Sequence, residues 1–160
     1  MMNDAAAGTQ TAQDVARGVA RLLWRAAITP LTEVPLGNGR RADVVGLGPD
    51  GRITLVEIKV SLADLRGDDK WTEYLDYCDR FFWAVPPGFP HSPFTDAAFL
   101  PGRAGLIVAD RWDGAEVAPA AEIALPAARR KAETLRFARR AAQRLLWLGD
   151  PGAGEPVRLG

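Results

Sequence analysis

Cysteine and histidine are almost absent from the sequence, which has one of each, Cys78 and His91. A single cysteine cannot form an internal disulfide bond, and neither residue has the neighbours that a zinc cluster requires. Disulfide-stabilised and zinc-centred domains are therefore excluded, and a reducing compartment is the simplest expectation. His91 lies in a proline-rich segment, where we predict a surface residue.

Long apolar runs are missing as well. No apolar stretch approaches the roughly 20 residues that a helix needs to cross a bilayer. Residues 1–13 lack a basic patch followed by an apolar run, which is the pattern of an export signal. We therefore expect a cytoplasmic protein that has no membrane partner.

Length and composition favour one domain. The chain has 160 residues, of which 48% are hydrophobic, and this is enough for one substantial core. We predict a flexible N-terminus over residues 1–10, a single domain over residues 11–148 and a flexible tail over residues 149–160.

The sequence also has no excess charge, since 20 basic residues balance 20 acidic ones. A neutral chain argues at first against nucleic acid as a partner, because phosphate binding usually requires a basic surface. The charge is unevenly distributed, however. Residues 129–144 contain seven basic side chains and one acidic side chain, so this segment is strongly basic and the remainder is acidic.

Hydrophobic periodicity and turn signals predict an α/β fold in which a mixed central sheet is flanked by helices. Glycine-rich turns separate the first three strands, which we expect to form an antiparallel meander. The next helix is expected to cross over to a parallel strand. The predicted helices cover residues 11–27, 68–80 and 127–148, and the predicted strands cover residues 31–36, 41–47, 52–60, 81–85, 104–109 and a short segment around Val117.

Charged residues on the second and third predicted strands form the clearest candidate site. Asp43 lies on the second strand, and Glu57 and Lys59 lie on the third with Ile58 between them. Side chains alternate along a strand, so Glu57 and Lys59 face the same side. If the two strands pair about the turn at residues 48–51, Asp43 lies opposite Glu57 and the two carboxylates converge.

Converging carboxylates repel each other unless a cation lies between them, and Mg²⁺ or Mn²⁺ suits a site with two carboxylates and several waters. In phosphodiester cleavage such an ion would polarise the phosphate and lower the pKa of a bound water, while Lys59 orients that water or stabilises developing charge. The same residues are also compatible with a solvent-exposed salt-bridge network. Charged groups at the end of an apolar strand are costly without a partner, and this favours a site.

Asp43, Glu57, Ile58 and Lys59 together resemble the PD-(D/E)xK signature of restriction endonucleases and archaeal Holliday-junction resolvases. Ala42 replaces the proline of that signature, a departure that leaves the metal ligands in place. Over residues 11–148 the chain also resembles the MmcB-type bacterial DNA-repair proteins. Four segments carry this likeness: RRADVV at 40–45, VEIK at 56–59, DKW at 69–71 and YLDYCDR at 74–80.

The resemblance implies a restriction-endonuclease-like core and a role in the repair of damaged DNA. It implies that Asp43, Glu57 and the carbonyl of Ile58 bind Mg²⁺ or Mn²⁺. Related nucleases place an additional acidic ligand where Glu33 lies, although an exposed strand carboxylate is an equal interpretation.

Lys70 and Tyr74 resemble the Q-x-x-x-Y motif of RecB-type nucleases, with lysine replacing glutamine, and are expected to lie one helical turn apart and support the site. Asp64, Asp68 and Asp69 are assigned instead to the beginning of the following helix, where acidic groups favour the positive end of the helix dipole.

Arginines supply the candidate DNA contacts, two beside Asp43 and others along the last helix. These residues are Arg40, Arg41, Arg129, Arg136 and Arg140. The other side of the last helix carries Leu135, Ala138, Ala142, Leu145 and Leu146. The arginine stripe predicts either a phosphate-binding surface or the solvated face of an amphipathic helix.

The leading hypothesis is a Mg²⁺-dependent nuclease that hydrolyses DNA phosphodiester bonds during repair. A DNA-binding accessory repair protein without turnover is the first alternative. An interaction domain whose acidic pair belongs to a salt-bridge network is the second. DNA is the expected partner, while other repair proteins and a second copy of the chain in a homodimer are left open.

Overall fold

Six strands form one sheet whose spatial order follows the chain, in a computed structural model that describes residues 9–157. Strands β1 (Thr29–Pro35), β2 (Arg41–Leu47) and β3 (Ile53–Ile58) form an antiparallel meander. Strands β4 (Arg80–Val85) and β5 (Ala104–Ala109) run parallel to β3, and β6 (Gly114–Ala118) is antiparallel to β5. The predicted meander and the parallel crossover are confirmed.

Helices cover the sheet on both faces. In the described part of the chain the α-helices are α1 (Ala12–Arg25), α2 (Leu62–Gly67) and α3 (Ala127–Gly149). The predicted α/β architecture, a mixed central sheet flanked by helices, is confirmed. Among the described residues, no helix combines the length and apolarity needed to cross a membrane.

Helix α1 packs on one face of the sheet. It begins with a capping box, in which the Thr11 hydroxyl accepts a hydrogen bond from the Asp14 amide and the Asp14 carboxylate accepts one from the Thr11 amide. Its fully buried Val15 and Val19 share an apolar cluster with β-strand side chains that include Val44 and Val56. These contacts hold β2 and β3 in place beneath α1.

An aromatic core fills the opposite face. Trp83 is 1% exposed, and its ring lies 5.1 Å from the ring of Phe81 and 5.1 Å from that of Trp71. The phenyl rings of Phe94 and Phe99 also contact Trp83. This core underlies the segment that joins β3 to β4 and that faces the candidate site.

The single helix predicted over residues 68–80 is wrong. The chain instead forms the short helix α2 and then a 3₁₀ helix at Trp71–Tyr77. Ser61 caps α2, because its hydroxyl accepts a hydrogen bond from Asp64 N. Trp71, Tyr74 and Tyr77 are all buried because residues three apart align in a 3₁₀ helix, which has 3.0 residues per turn. The aromatic repeat of three therefore overrides the α-helical pattern.

The side of helix α3 that carries Arg130 and Arg144 faces the body of the protein, so it is not the solvated face of an amphipathic helix. Its buried residues are Glu133 and Phe137. The leucines on the other side are exposed, Leu135 by 58% and Leu145 by 70%. The inward orientation follows from arginine contacts: Arg130 pairs with Asp79, and Arg144 donates to the Glu33 carbonyl oxygen over 2.8 Å.

Asp79 ties α3 to the sheet. Its carboxylate is 1% exposed and accepts hydrogen bonds from the backbone N–H groups of Ile53 at 2.7 Å and Leu125 at 2.9 Å. Two nitrogens of the Arg130 guanidinium donate to it over 2.7 and 2.6 Å. Burial alone would raise the pKa of Asp79, but the hydrogen bonds from Arg130, Ile53 and Leu125 lower it below the ordinary value.

The predicted flexible ends stay a prediction. Residues 1–8 and 158–160 lie outside the described residues. Gln10 accepts a hydrogen bond from the Arg111 amide at 3.2 Å, and the Trp147 indole donates to the Gly154 carbonyl oxygen at 3.2 Å.

Replacing Asp79 is expected to destabilise the fold strongly. Asp79→Ala leaves the Arg130 guanidinium and two backbone N–H groups without their acceptor, so the free energy of unfolding should drop by about 3–5 kcal/mol. Because the pKa of Asp79 is lowered by folding, the stability that it contributes is present above its unfolded pKa and is lost as the pH falls through its folded pKa.

Urea unfolding at neutral and acid pH measures both effects. The control is Asp76→Ala, which removes an exposed carboxylate three residues away and should change the unfolding free energy by less than about 0.5 kcal/mol. Equal losses in the two variants would contradict the role assigned to Asp79.

Candidate active site

The candidate site lies where β2 and β3 separate. Backbone pairing reaches Val44 and Val56, and the next facing residues are Asp43 and Glu57. Here each carboxylate takes the place of a ladder contact: Glu57 Oε1 accepts from the Asp43 amide at 3.0 Å, and Asp43 Oδ2 accepts from the Ile58 amide at 2.8 Å. The predicted convergence of the two carboxylates is therefore seen in the fold.

Both carboxylates lie in an environment that opposes their ionisation. Glu57 is only 4% exposed, and burial together with the neighbouring Asp43 charge raises its pKa to about 9. Burial also raises the pKa of Asp43, and Glu33 adds to this effect, while the Ile58 amide and Lys59 oppose it. In the metal-free protein near neutral pH, Glu57 therefore retains a proton beside Asp43.

The residues fit a hydrated divalent cation of the Mg²⁺ type. Within the described residues, no group of three or more histidine, cysteine, aspartate or glutamate side chains could hold a metal ion. A structural zinc site usually needs four protein ligands, whereas Mg²⁺ keeps several waters and needs only one or two carboxylates. Asp43 and Glu57 each use one oxygen for a backbone amide, which leaves the second oxygen available to a cation.

Lys59 points along the same face as Glu57, as predicted, and forms an ion pair there. Its ammonium group lies 2.8 Å from Asp68 Oδ2, with the two side chains 12% and 15% exposed. It also lies over the Trp83 ring, 5.7 Å from the centroid. Aromatic packing and the partly buried ion pair thus fix the position of the lysine ammonium group.

Asp68 is the site residue that sequence reasoning missed. The sequence predicts Asp68 at the beginning of a helix, but this residue follows the C-terminus of α2, and its carboxylate contacts Lys59. Asp64 does lie in the first turn of α2, and Asp69 is exposed. The available signal was Lys59 itself, because a lysine near the end of an apolar strand requires a nearby opposite charge.

Two clefts meet at Asp43 and Ile58. A cleft of about 420 Å³ on the α2 side is also lined by Glu57, Lys59 and Tyr74. A second cleft of about 710 Å³ lies on the α1 side and brings in residues such as Arg17. Asp43 is therefore reached from both clefts, and Glu57 is reached from the cleft on the α2 side.

Glu33 is on β1 and lies opposite Asp43 of β2, at a point where the pairing of the two strands is interrupted. Its φ angle of 54° is uncommon for a residue other than glycine. Its carboxylate forms an ion pair with Arg41 at 2.6 Å. The structure thus brings Glu33 beside the site but pairs it with an arginine.

Lys70 and Tyr74 do not share a helical face, contrary to expectation. Lys70 is exposed at the beginning of the 3₁₀ helix, whereas Tyr74 is 6% exposed and lines the cleft. Four residues correspond to one turn of an α-helix but to one and a third turns of a 3₁₀ helix, so the two side chains diverge. Burial and the Glu57 charge raise the pKa of Tyr74 to about 12, so its hydroxyl stays protonated.

Most of the predicted DNA-contacting arginines are engaged within the protein. Arg40 donates to Glu73 at 2.7 Å and lies over the Tyr74 ring. Arg129 lies over the Tyr77 ring, Arg136 pairs with Glu133, and Arg140 donates to Gln143. Arg41 differs, because its side chain is 68% exposed and lines the cleft beside Asp43.

Comparison with known proteins places the chain in a family. The model of the MmcB-like DNA repair proteins matches residues 2–152, and the chain belongs to this family. No curated protein sequence matches it significantly.

Two solved structures are similar to it. A protein of unknown function from Silicibacter pomeroyi is 43% identical with a TM-score of 0.82, and the match covers 93% of this chain and 98% of that one. A repair endonuclease from Pyrococcus abyssi is 23% identical with a TM-score of 0.30, over 43% of this chain and 36% of that one.

The raised pKa of Glu57 predicts how stability varies with pH. Folding raises this pKa from 4.5 to about 9, so the stability that the protonated carboxyl contributes is complete below the unfolded pKa and is lost as the pH rises toward the folded pKa. Glu57→Gln removes the titration. The unfolding free energy of the variant minus that of the metal-free wild type should therefore increase as the pH rises from about 5 to about 8.5.

Urea unfolding in the presence of a chelator measures this difference. The matched control is Glu155→Gln, which neutralises an exposed glutamate in the C-terminal segment and should run parallel to the wild type across the pH range. Parallel curves for Glu57→Gln as well would show that Glu57 is ionised at neutral pH.

Proposed function

We propose that the protein is a Mg²⁺- or Mn²⁺-dependent nuclease that hydrolyses DNA phosphodiester bonds in repair. The observation that carries the proposal is the pair of half-buried Asp43 and buried Glu57 at the point where two strands separate, with Lys59 on the same face as Glu57. Membership of a DNA-repair family supports the substrate, and the resemblance of Asp43, Glu57, Ile58 and Lys59 to the PD-(D/E)xK signature supports the chemistry.

The roles follow from position and charge. Asp43, Glu57 and the carbonyl of Ile58 would hold the cation, which when bound polarises the phosphate and lowers the pKa of a water. Lys59 orients the attacking water and stabilises the charge that develops on the phosphate. Tyr74, protonated and facing the cleft, is a hydrogen-bond donor to the substrate.

Arg41 is the arginine best placed to contact DNA phosphate at the site. Its guanidinium group is exposed at the mouth of the cleft, and its partner Glu33 is itself 47% exposed. An exposed ion pair contributes little to stability, so a phosphate can replace the carboxylate at small cost. The arginines Arg40, Arg129 and Arg140 would first have to give up contacts inside the protein, and Arg136, whose side chain is 49% exposed, does not line the cleft.

A DNA-binding accessory protein without turnover is the second candidate function. The Lys59–Asp68 ion pair favours it, because a lysine held by a carboxylate is less available to a water or phosphate. The two candidates share the DNA-binding surface and differ only in cleavage.

Cleavage of labelled single-stranded, duplex and branched DNA with Mg²⁺ or Mn²⁺ tests the first candidate. Glu57→Gln and Lys59→Met are each expected to lower the rate by about 100-fold or more, since one loses a metal ligand and the other loses transition-state stabilisation. DNA affinity should persist in both variants.

Two control variants match these substitutions. Asp69→Asn and Arg66→Met remove exposed charges near α2 that do not line the cleft, and both should cleave at the wild-type rate. Absence of cleavage by the wild type on every substrate, with DNA binding intact, would establish the accessory function instead.

The role of Arg41 predicts a change in the salt dependence of DNA binding. Arg41→Ala should weaken affinity for all sequences and reduce the slope of log K against log salt by about 1, because one phosphate contact is lost. Fluorescence anisotropy over a salt series gives the slope. Arg52→Ala, which removes an exposed, ion-paired arginine at the other end of β3, is the control and should keep the wild-type slope.

A further inference from the structure

The outer side of α3 is an exposed apolar surface, which we call the leucine face. It consists of Leu135, Ala138, Ala142, Leu145 and Leu146. Its three leucines are 58%, 70% and 55% exposed. Clustered exposed leucines are costly in water, and such patches usually mark a protein interface.

The spacing of the leucine face is that of a helix-packing seam. Leu135, Ala138, Ala142 and Leu145 are separated by three, four and three residues, which is the a/d repeat of a coiled coil. The two alanines at the centre allow another helix to approach closely. A helix that lies along this seam would bury both leucines against its own apolar residues.

Charge determines which helix fits. Between Thr134 and Gly149 the helix has four arginines and no acidic residue. Arg136 and Arg139 are exposed beside the seam. A groove of about 580 Å³ lies between α3 and the C-terminal segment. On α3 it is lined by Ala142, Leu146 and three arginines, Arg136, Arg139 and Arg140, and in the C-terminal segment by residues such as Ala153 and Pro156.

A second copy of α3 would bring like charges together along the same seam, which disfavours self-association. Nucleic acid matches the arginines but leaves the leucines without apolar partners, because aliphatic side chains offer no ring for a base to stack on. An amphipathic helix with acidic flanks satisfies both the leucines and the arginines.

We propose that the leucine face of α3 is a docking surface for an acidic amphipathic helix of a partner protein. The apolar residues of that helix pack on Leu135, Leu145 and Leu146, and its carboxylates pair with Arg136 and Arg139. The surface is independent of Asp43 and Glu57, so docking does not depend on the nuclease proposal.

Fluorescence anisotropy with designed peptides tests the surface on the full chain. The probe is a labelled helix of three heptads with leucine at a and d and glutamate at e and g, and the comparison probe carries lysine in place of each glutamate. The acidic probe should bind at least about tenfold more tightly than the basic one. Arg136→Glu together with Arg139→Glu should reverse this preference.

The leucines are tested separately from the charges. Leu135→Gln with Leu145→Gln should weaken binding of the acidic probe by about tenfold or more, and both positions are exposed, so the fold should tolerate the change. Val117→Gln on β6, a valine that is 49% exposed, is the matched control and should bind like the wild type.

Four outcomes overturn the proposal. The first is the absence of saturable binding of the acidic probe up to about 1 mM, and the second is binding of that probe that the leucine substitutions do not weaken. The third is a wild-type dimer in sedimentation equilibrium that those substitutions dissociate. The fourth is binding of single-stranded DNA that becomes weaker when the leucines are replaced. The third result would assign the face to a second copy, and the fourth would assign it to nucleic acid.

Discussion

The ion pair between Asp79 and Arg130 is the interaction on which the arrangement of the helical layer depends. Asp79 lies directly before β4. Its carboxylate accepts hydrogen bonds from the first amide of β3 and from an amide in the segment before α3, and it pairs with the arginine of α3. This contact turns the side of α3 that carries Arg130 toward the sheet. Arg144, two turns beyond Phe137, then reaches the carbonyl oxygen of Glu33 on the strand beside the candidate site. A single carboxylate thus sets both the orientation of α3 and the support of β1.

The protein treats its buried acids in two different ways. Asp79 has a cation and several N–H donors, so its pKa is lowered and it stays charged. Glu57 is also buried, and this burial together with the charge of the neighbouring Asp43 raises its pKa. Structural carboxylates are normally satisfied within the fold, whereas carboxylates with strongly perturbed pKa values in a cleft are typical of functional sites. This contrast, more than the sequence motif, separates Asp43 and Glu57 from Asp79.

Local patterns were sufficient to predict the sheet and the carboxylate pair. The predicted ranges for β2 and β5 match the structure because clear turns bound them, and the four-residue turn after β2 placed Asp43 opposite Glu57. The sequence could not reveal contacts made at long range. The 3₁₀ helix has a period of three residues that resembles α-helical spacing, so an α-helix is predicted in its place. The inward side of α3 was missed because arginines that bind distant acceptors look the same in sequence as arginines in water, and Asp68 was missed for a similar reason.

Strand β1 forms an edge of the sheet, and its irregularity limits how copies of the protein can associate. Glu33 breaks the ladder with its left-handed backbone, and its carbonyl oxygen is already taken by Arg144. Pro30 and Pro35, near the two ends of the strand, have no N–H to offer an incoming strand. Edge strands built in this way resist the cross-chain β pairing that leads to aggregation. The backbone irregularity at Glu33, beside the acidic site, therefore also hinders pairing of this edge with the edge strand of another molecule.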